Sequence, residues 1–418
     1  MSDITALILD AGVFVLLPWL AWRLMQRAIP IVVLPILVGI TLAALHMPVG
    51  RLGIPSTYGT DIGWVAVLIL AFTAGLEMWQ HPGEDPAVQS IPQPSVGRLL
   101  GGAFVAMAVP FVVGSALIHQ FFLPLRGWQP PHATGMIAAL GIGLCIAVSA
   151  LPVLIGVVRE LEPAQKPLGQ LALKLAVVDD ATLWIGLAAL QFAARGSAAL
   201  HGWSAMQFIA VGLLAALALM GSWATRNLRH PPLWLIWGCL PLYLAAGSWA
   251  SMQLGLHELI GAYFAGAVMP PGWVRRLPVE KVGTFALIWF APMFFGHSGL
   301  HINGDALTWP SVLASVMLVV ISITSKMGGV YLFAPAADLS GRQKLAIGSL
   351  LQCKGLMEIV AATILHAQGM ISEFAFTSLM LLAVISTILT GPLFQFVAPR
   401  PRKAPAPRAC QRVVPVQE

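Results

Sequence analysis

Apolar runs of about 20 residues recur along almost the whole chain, separated by short polar segments. A helix of about 20 apolar residues crosses the hydrocarbon core of a bilayer, which is about 30 Å thick. The chain contains thirteen such runs, centred near Leu16, Val38, Val67, Ala108, Gly143, Ile185, Leu213, Leu240, Ala262, Trp289, Val319, Val360 and Leu382. The pattern predicts an all-α polytopic membrane protein with about 13 transmembrane helices.

The charged residues predict how these helices are oriented. Only 10% of the 418 residues are charged, against roughly 25% in soluble domains. If the N-terminus lies outside, most of the 23 basic residues fall in short cytoplasmic loops or in the C-terminal segment. This distribution follows the positive-inside rule. We therefore expect an outside N-terminus and a cytoplasmic C-terminus.

Several functions are disfavoured by composition. The net charge of +6 is spread over short loops, so no basic face is predicted for nucleic acid. No GxGxxG, HExxH or GxSxG motif appears, so we expect neither a nucleotide-binding domain nor an enzyme, and no cofactor. Membrane lipid is the expected surrounding. The four cysteines lack metal-ligand spacing and are assigned to packing: Cys145, Cys239, Cys353 and Cys410.

Two adjacent carboxylates, Asp179 and Asp180, stand in the sixth run, LALKLAVVDDATLWIGLAAL. A charged side chain at bilayer depth costs at least about 2.5–3.5 kcal/mol on insertion scales and marks a functional site. If this helix enters from the cytoplasm near Leu168, both residues lie roughly 17–18 Å along it, near the midplane. Transporters bind their substrates at that depth.

Adjacent helical residues project about 100° apart, so the two carboxylates need different partners. Lys326, in the eleventh run, is the expected counter-charge, because a lone ammonium at depth needs one; the alternative is that it snorkels to the cytoplasmic surface. A lysine–aspartate pair beside a second aspartate makes a site for either a proton or a transported Na⁺ or K⁺. Alternating exposure of Asp179 and Asp180 to the two sides would exchange these ions. A buried network that only holds helices together is the competing interpretation.

Two runs contain helix breakers at corresponding positions of two halves. Ser149 and Pro152 interrupt the fifth run, and Gly355 lies between Lys354 and Glu358 in the twelfth. This pattern is typical of inverted-repeat transporters with two discontinuous crossing helices. The alternative for Ser149 and Pro152 is that they only kink a helix. The alternative for Lys354 and Glu358 is a structural role, in which they neutralise each other or cap helix ends.

The chain resembles the cation:proton antiporter-2 family of sodium/hydrogen exchanger-like transporters. The resemblance rests on five motifs in order, ILAFTAGLEM, VSALPVLIGVVRELEPAQKPLGQLALKLAVVDD, LGLHELIGAYFAGAVMPP, APMFFGHSGL and LQCKGLMEIVAATILHAQGMIS. It implies a homodimer in which a core moves against a scaffold, with Asp180 as the carboxylate that carries the ion or proton. It also implies that Asp179 pairs with Lys326, a double-aspartate pattern associated with electrogenic exchange. The second run lacks the family's usual Gln-Pro and Glu, and Lys354 stands where relatives often carry Arg.

The resemblance divides the chain into an exchanger domain and a tail. The expected exchanger domain covers 1–398. Its scaffold helices lie at about 1–80 and 232–300, its core helices at about 99–195 and 308–398, and its linker helix at about 203–223. The expected tail, over 399–418, is basic, Pro-rich and cytoplasmic. The bacterial character of the motifs favours the bacterial inner membrane.

Other functions remain as alternatives. An intramembrane aspartyl protease also uses two aspartates, but its pair converges from separate helices to share one proton, whereas these two are consecutive. A channel is disfavoured because a buried charge pair binds ions too tightly for fast conduction. A proton- or cation-coupled carrier of a small organic solute on the same fold is the main alternative.

Overall fold

The structure is a computed structural model that describes residues 3–25, 31, 33–77, 95–159, 161–162, 165–194, 204–228, 231–302 and 308–398. All regular secondary structure in these ranges is helical, which confirms the predicted fold class. The predicted tail, 399–418, lies outside the described residues.

The first half of the chain contains nine α-helices among the described residues, and three of them adjoin π-helical turns at Gly12–Leu16 and Ile118–Phe122. They are α1 (Asp3–Ala11), α2 (Leu17–Leu24), α3 (Val33–Ala44), α4 (Thr57–Glu77), α5 (Val96–Leu117), α6 (Gly135–Ala147), α7 (Leu151–Arg159), α8 (Lys166–Ala194) and α9 (Ala205–Asn227). A short 3₁₀ turn, Val49–Leu52, follows α3.

The second half continues in the same way through nine further α-helices in its described part. They are α10 (Leu233–Gln253), α11 (Glu258–Ala267), α12 (Pro271–Val274), α13 (Val279–Trp289), α14 (Ala291–Leu300), α15 (Trp309–Leu332), α16 (Gly341–Leu350), α17 (Leu356–Ala367) and α18 (Glu373–Val397).

Polar residues begin several of these helices. The hydroxyls of Ser95, Thr134, Ser340 and Ser372 each accept a hydrogen bond from a backbone N–H in the first turn of α5, α6, α16 and α18. Such caps satisfy N–H groups that have no partner within the helix. Single polar residues in the sequence therefore fix where these four helices start.

Length and apolarity qualify only some of the described helices as membrane crossings. Among the described residues, seven helical stretches are long and apolar enough to cross a membrane, or eight if α13 and α14, bent by 42°, form one span. Each of the thirteen predicted run centres lies within a helix. The predicted count of about 13 therefore includes short or broken helices that do not qualify individually.

The helices pack mainly within two bundles. The first bundle consists of α1 to α4, α10, α11, α13 and α14, and the second of α5 to α8 and α15 to α18. Helix α9 packs against α10 of the first bundle. The larger contacts between the bundles join α8 to α4 and α11, and α18 to α3. The long helix α8 thus carries Asp179 and Asp180 along the seam between the bundles.

Glycines let backbones approach closely inside each bundle. A Cβ atom added at Gly261 of α11 would lie 2.1 Å from the carbonyl oxygen of Gly247 in α10, and one at Gly143 of α6 would lie 2.0 Å from Ser115 Oγ. Small residues at helix contacts permit this approach in membranes. Among the described glycines, none makes such a tight contact between the two bundles. The close backbone packing therefore stays within each bundle.

Replacement of Gly261 by alanine should separate α10 from α11. We expect Gly261→Ala to destabilise the protein by about 1–3 kcal/mol, the usual cost of overpacking, measured as a lower thermal unfolding temperature in detergent. Gly238→Ala is the matched control, because Gly238 lies in the same helix pair with open space around it. Equal unfolding temperatures for the two variants would contradict the close approach.

Candidate ion-binding site

The fifth predicted span is broken between α6 and α7. Val148 leaves the helix with an extended backbone, φ −68° and ψ 152°, and α7 restarts at Leu151. Ser149 lies in the break, fully buried, and its hydroxyl donates a hydrogen bond to Asp179 Oδ2 at 2.7 Å. The backbone of Pro152 lies in the first turn of α7, while its side chain is outside the described part of the chain.

The twelfth predicted span is broken between α16 and α17. Gly355 begins α17 with φ 112° and ψ −118°, a conformation that a residue with a Cβ atom rarely adopts. The two breaks touch, because the backbone N–H of Ala150 donates to the carbonyl oxygen of Cys353 at 2.7 Å. The structure therefore brings together two interrupted helices at their non-helical segments.

Asp179 is held by both the first break and α15. Lys326 Nζ lies 2.5 Å from Asp179 Oδ2 and 2.5 Å from the carbonyl oxygen of Ala147. The side chains of Asp179 and Lys326 are 0% and 1% exposed, so the ammonium does not snorkel to a surface. One oxygen of Asp179 thus meets Lys326 and Ser149, and its Oδ1 has no hydrogen-bond partner among the described residues.

Asp180 is buried beside this pair but stays unpaired. Neither carboxylate oxygen has a hydrogen-bond partner within the described ranges, and the residue is 2% exposed. The Asp180 carboxylate interacts electrostatically with Lys326, Asp179 and Glu77, which lies at the end of α4, and with the backbone N–H of Leu151. An isolated ionised carboxylate is costly to bury, so Asp180 requires a proton or a cation.

Lys354 caps the C-terminal end of α6. Its Nζ donates to the carbonyl oxygens of Cys145, Ile146 and Val148 at 3.0, 2.5 and 2.9 Å. A cation at this position complements the negative C-terminal end of the helix dipole. Glu358, one turn further along, is fully buried and has no hydrogen-bond partner for either oxygen in the described structure. Of the two alternatives left by the sequence, capping thus describes Lys354, while Glu358 interacts with it only electrostatically.

Two polar residues that were not predicted from the sequence tie the breaks to α15. Ser322 Oγ donates to the carbonyl oxygen of Ile146 at 3.0 Å, and Gln352 Nε2 donates to the carbonyl oxygen of Ser322 at 2.6 Å. Both are buried. The available signals were that Ser322 precedes Lys326 by one helical turn, on the same face, and that Gln352 lies next to the predicted break.

Glu77 is a further residue that the sequence analysis did not place at the site. It ends α4 in the first bundle, whereas Asp180 belongs to the second. Glu77 Oε2 is buried without a hydrogen-bond partner in the described structure. The site therefore includes carboxylates on both sides of the seam.

This arrangement defines a class of protein. Interrupted helices that meet beside buried, unevenly compensated charges are typical of secondary transporters. A sequence profile described as "Sodium/hydrogen exchanger, transmembrane" matches residues 11–399. The chain belongs to this family, which confirms the family relationship that the motifs indicated.

Individual relatives agree with this assignment. The chain is 29% identical over 307 residues to the Na(+)/H(+) antiporter NhaS4 of Synechocystis sp., covering 71% of this chain and 74% of the relative. It is 27% identical over 315 residues to the K(+)/H(+) antiporter 1 of Saccharomyces cerevisiae, covering 71% of this chain and 35% of that protein. It thus matches about a third of the yeast relative's length.

A solved structure shares the fold. The sodium proton antiporter MjNhaP1 from Methanocaldococcus jannaschii superposes with a TM-score of 0.62 at 15% sequence identity, covering 94% of this chain and 99% of the other. The similarity at this low identity shows that the two chains have a common architecture.

Loss of Lys354 should loosen the end of α6. We expect Lys354→Met to destabilise the protein by about 3–5 kcal/mol, because it leaves several buried carbonyl groups without partners; thermal unfolding in detergent measures this. Lys281→Met, at an exposed position of α13, should leave the unfolding temperature unchanged. If both variants behave alike, the carbonyl contacts of Lys354 do not stabilise the break.

Proposed function

We propose that the protein is a secondary active transporter that exchanges a monovalent cation, Na⁺ or K⁺, for protons by alternating access. The observation that carries the proposal is Asp180, buried beside the Asp179–Lys326 pair with neither oxygen hydrogen-bonded to any described residue. The names of the relatives support it, since they are described as Na⁺/H⁺ and K⁺/H⁺ antiporters. Transport, rather than an enzymatic reaction, is the activity of the family.

Asp180 is the proposed shared site for the proton and the cation. A proton neutralises the carboxylate, and a cation compensates its charge, so binding of one disfavours the other. Asp179 already shares Oδ2 with Lys326 and Ser149, which leaves its Oδ1 as an additional cation ligand. The roles proposed for Lys354, Gly355 and Glu358, together with Ser149 and Pro152, are to support the discontinuous helices around this site.

The two bundles suggest how the site reaches both sides. We assign the second bundle as the moving core, the first bundle as the scaffold and α9 as the linker. Tight glycine contacts within each bundle support rigid-body motion of one against the other. We further propose a homodimer in the bacterial inner membrane, with the N-terminus outside and the C-terminus in the cytoplasm.

Removal of the Asp180 charge tests the exchange directly. In proteoliposomes, we expect wild-type protein to move protons when Na⁺ or K⁺ is added, and Asp180→Asn to abolish this flux because it can no longer alternate between proton and cation. Asp61→Asn, at an exposed position near the start of α4, should transport normally.

Three other outcomes bear on the assignment. Unchanged flux in Asp180→Asn, or no cation-dependent flux in folded wild-type protein, would refute it. In the second case, proton- or cation-driven uptake of a small organic solute would support the alternative carrier on the same fold.

Glu77 should tune cation binding without being required for it. Removal of a nearby negative charge lowers the attraction of the site for a cation, so we expect Glu77→Gln to raise the cation concentration for half-maximal flux by about tenfold. Glu280→Gln, exposed on α13 of the same bundle, is the control. An unchanged half-maximal concentration in Glu77→Gln would show that Glu77 does not act on the site.

A further inference from the structure

One face of α8 faces the first bundle. Asp180, Trp184, Leu187 and Gln191 are spaced by four, three and four residues, which places them on one side of the helix. All four are buried, with exposures of 2%, 0%, 0% and 1%. The proposed ion site therefore begins a continuous buried stripe that runs towards the end of α8 at Ala194.

Two side chains of this stripe contact α11 or its cap. The Trp184 ring stacks on Tyr263 with centroids 5.5 Å apart and planes 21° from parallel. Further along, the backbone N–H of His257, the N-cap of α11, donates to Gln191 Oε1 at 2.8 Å. Since a helix rises 1.5 Å per residue, these contacts lie about 6 Å and about 16 Å beyond Asp180.

The α11 partners are fixed within the first bundle. A Cβ atom at Gly75 of α4 would lie 2.1 Å from the carbonyl oxygen of Tyr263. Ser251 of α10 donates to the carbonyl oxygen of His257 at 2.8 Å. The Trp184–Tyr263 and Gln191–His257 contacts, by comparison, are one ring stack and one hydrogen bond. They are therefore suited to break when the bundles move apart.

The closed contacts leave two polar groups unsatisfied. Trp184 Nε1 and Gln191 Nε2 are buried without hydrogen-bond partners among the described residues. Buried donors without acceptors disfavour the state that buries them. Opening the seam to water would satisfy both groups and offset the loss of the stack and the hydrogen bond. Such compensation makes the open and closed states close in free energy, as alternating access requires.

We propose that Trp184 with Tyr263 and Gln191 with His257 form a two-layer gate that closes Asp180 off from the side of the membrane where α8 ends. The gate opens when the second bundle moves against the first. This inference rests on the proposed transport function for its purpose, but the closure itself is a property of the seam that can be measured without transport.

The test uses Asp180→Cys as a reporter in protein whose four cysteines, Cys145, Cys239, Cys353 and Cys410, are replaced by alanine. A membrane-impermeant maleimide is added from either side of oriented vesicles. Ser204→Cys, exposed at the start of α9 on the side where α8 ends, reports which side that is. With the gate intact, we expect the reporter to react at least about tenfold more slowly from the Ser204 side than from the other.

Gate variants should remove this difference. Trp184→Ala combined with Gln191→Leu should raise the reaction rate from the Ser204 side by about tenfold or more. Gln191→Leu alone, which keeps the side-chain volume, should give a smaller increase in the reaction rate. It replaces the double variant in the test if the double variant does not fold. Phe192→Ala is the matched control on α8, since Phe192 is 44% exposed, and should change nothing. Equally fast reaction from both sides of the intact protein, or no effect of the gate variants, would overturn the proposal.

A second experiment separates the gate from the proposed function. Gln191→Cys with His257→Cys is oxidised to a disulfide in protein that keeps Asp180 and lacks the native cysteines. We expect cation-dependent proton flux to stop and to return on reduction. Flux that persists in fully cross-linked protein would refute the gate. Absence of flux in reduced and oxidised protein alike, together with one-sided labelling, would refute the transport function while supporting the closure.

Discussion

Helix α6 ends at Ala147, so the carbonyl groups of its last three residues and of the C-cap Val148 have no partner within the helix. Lipid supplies no hydrogen bonds, so these groups need partners from the protein. Lys354 serves the carbonyls of Cys145, Ile146 and Val148, and Lys326 serves that of Ala147. The two buried ammonium groups therefore make an interrupted helix tolerable at this depth, and the remainder of the site follows from their positions.

The same requirement explains why the two aspartates differ. Lys326 must stay near Ala147 to complete the helix end, and from there it also reaches Asp179. Asp180 projects in another direction, along the face that Trp184 shares, where no cationic side chain meets it among the described residues. Adjacent residues of one helix thus acquire separate positions: one carboxylate belongs to the structural charge network, and the other is the proposed site for a transported ion.

The sequence was most informative where a residue type conflicted with its surroundings. Charged residues within apolar runs, such as Asp179, Lys326 and Lys354, and breakers such as Gly355 indicated the helix crossing from the sequence alone. Glu77 and Tyr263 could not be assigned in this way, because an acid at a helix end and an aromatic in an apolar helix have ordinary explanations. Their relevance depends on the packing of α4 and α11 against α8, which follows from side-chain fit between distant segments. The number of crossings was also hard to predict, since short helices such as α3 and α11 are covered by neighbouring helices and are too short to qualify as spans by their own length.

The uneven distribution of glycine contacts has a consequence for how such a protein can diversify. Inside each bundle, a larger residue at positions such as Gly261 or Gly143 meets backbone or a fixed side chain, so these interiors accept little change. Along the seam, contacts are made by side-chain rings and single hydrogen bonds, which can be exchanged one at a time without repacking a bundle. Variants that differ in the speed of transport can therefore arise by substitutions at the seam, while the helix crossing that carries the proposed ion site is inherited intact.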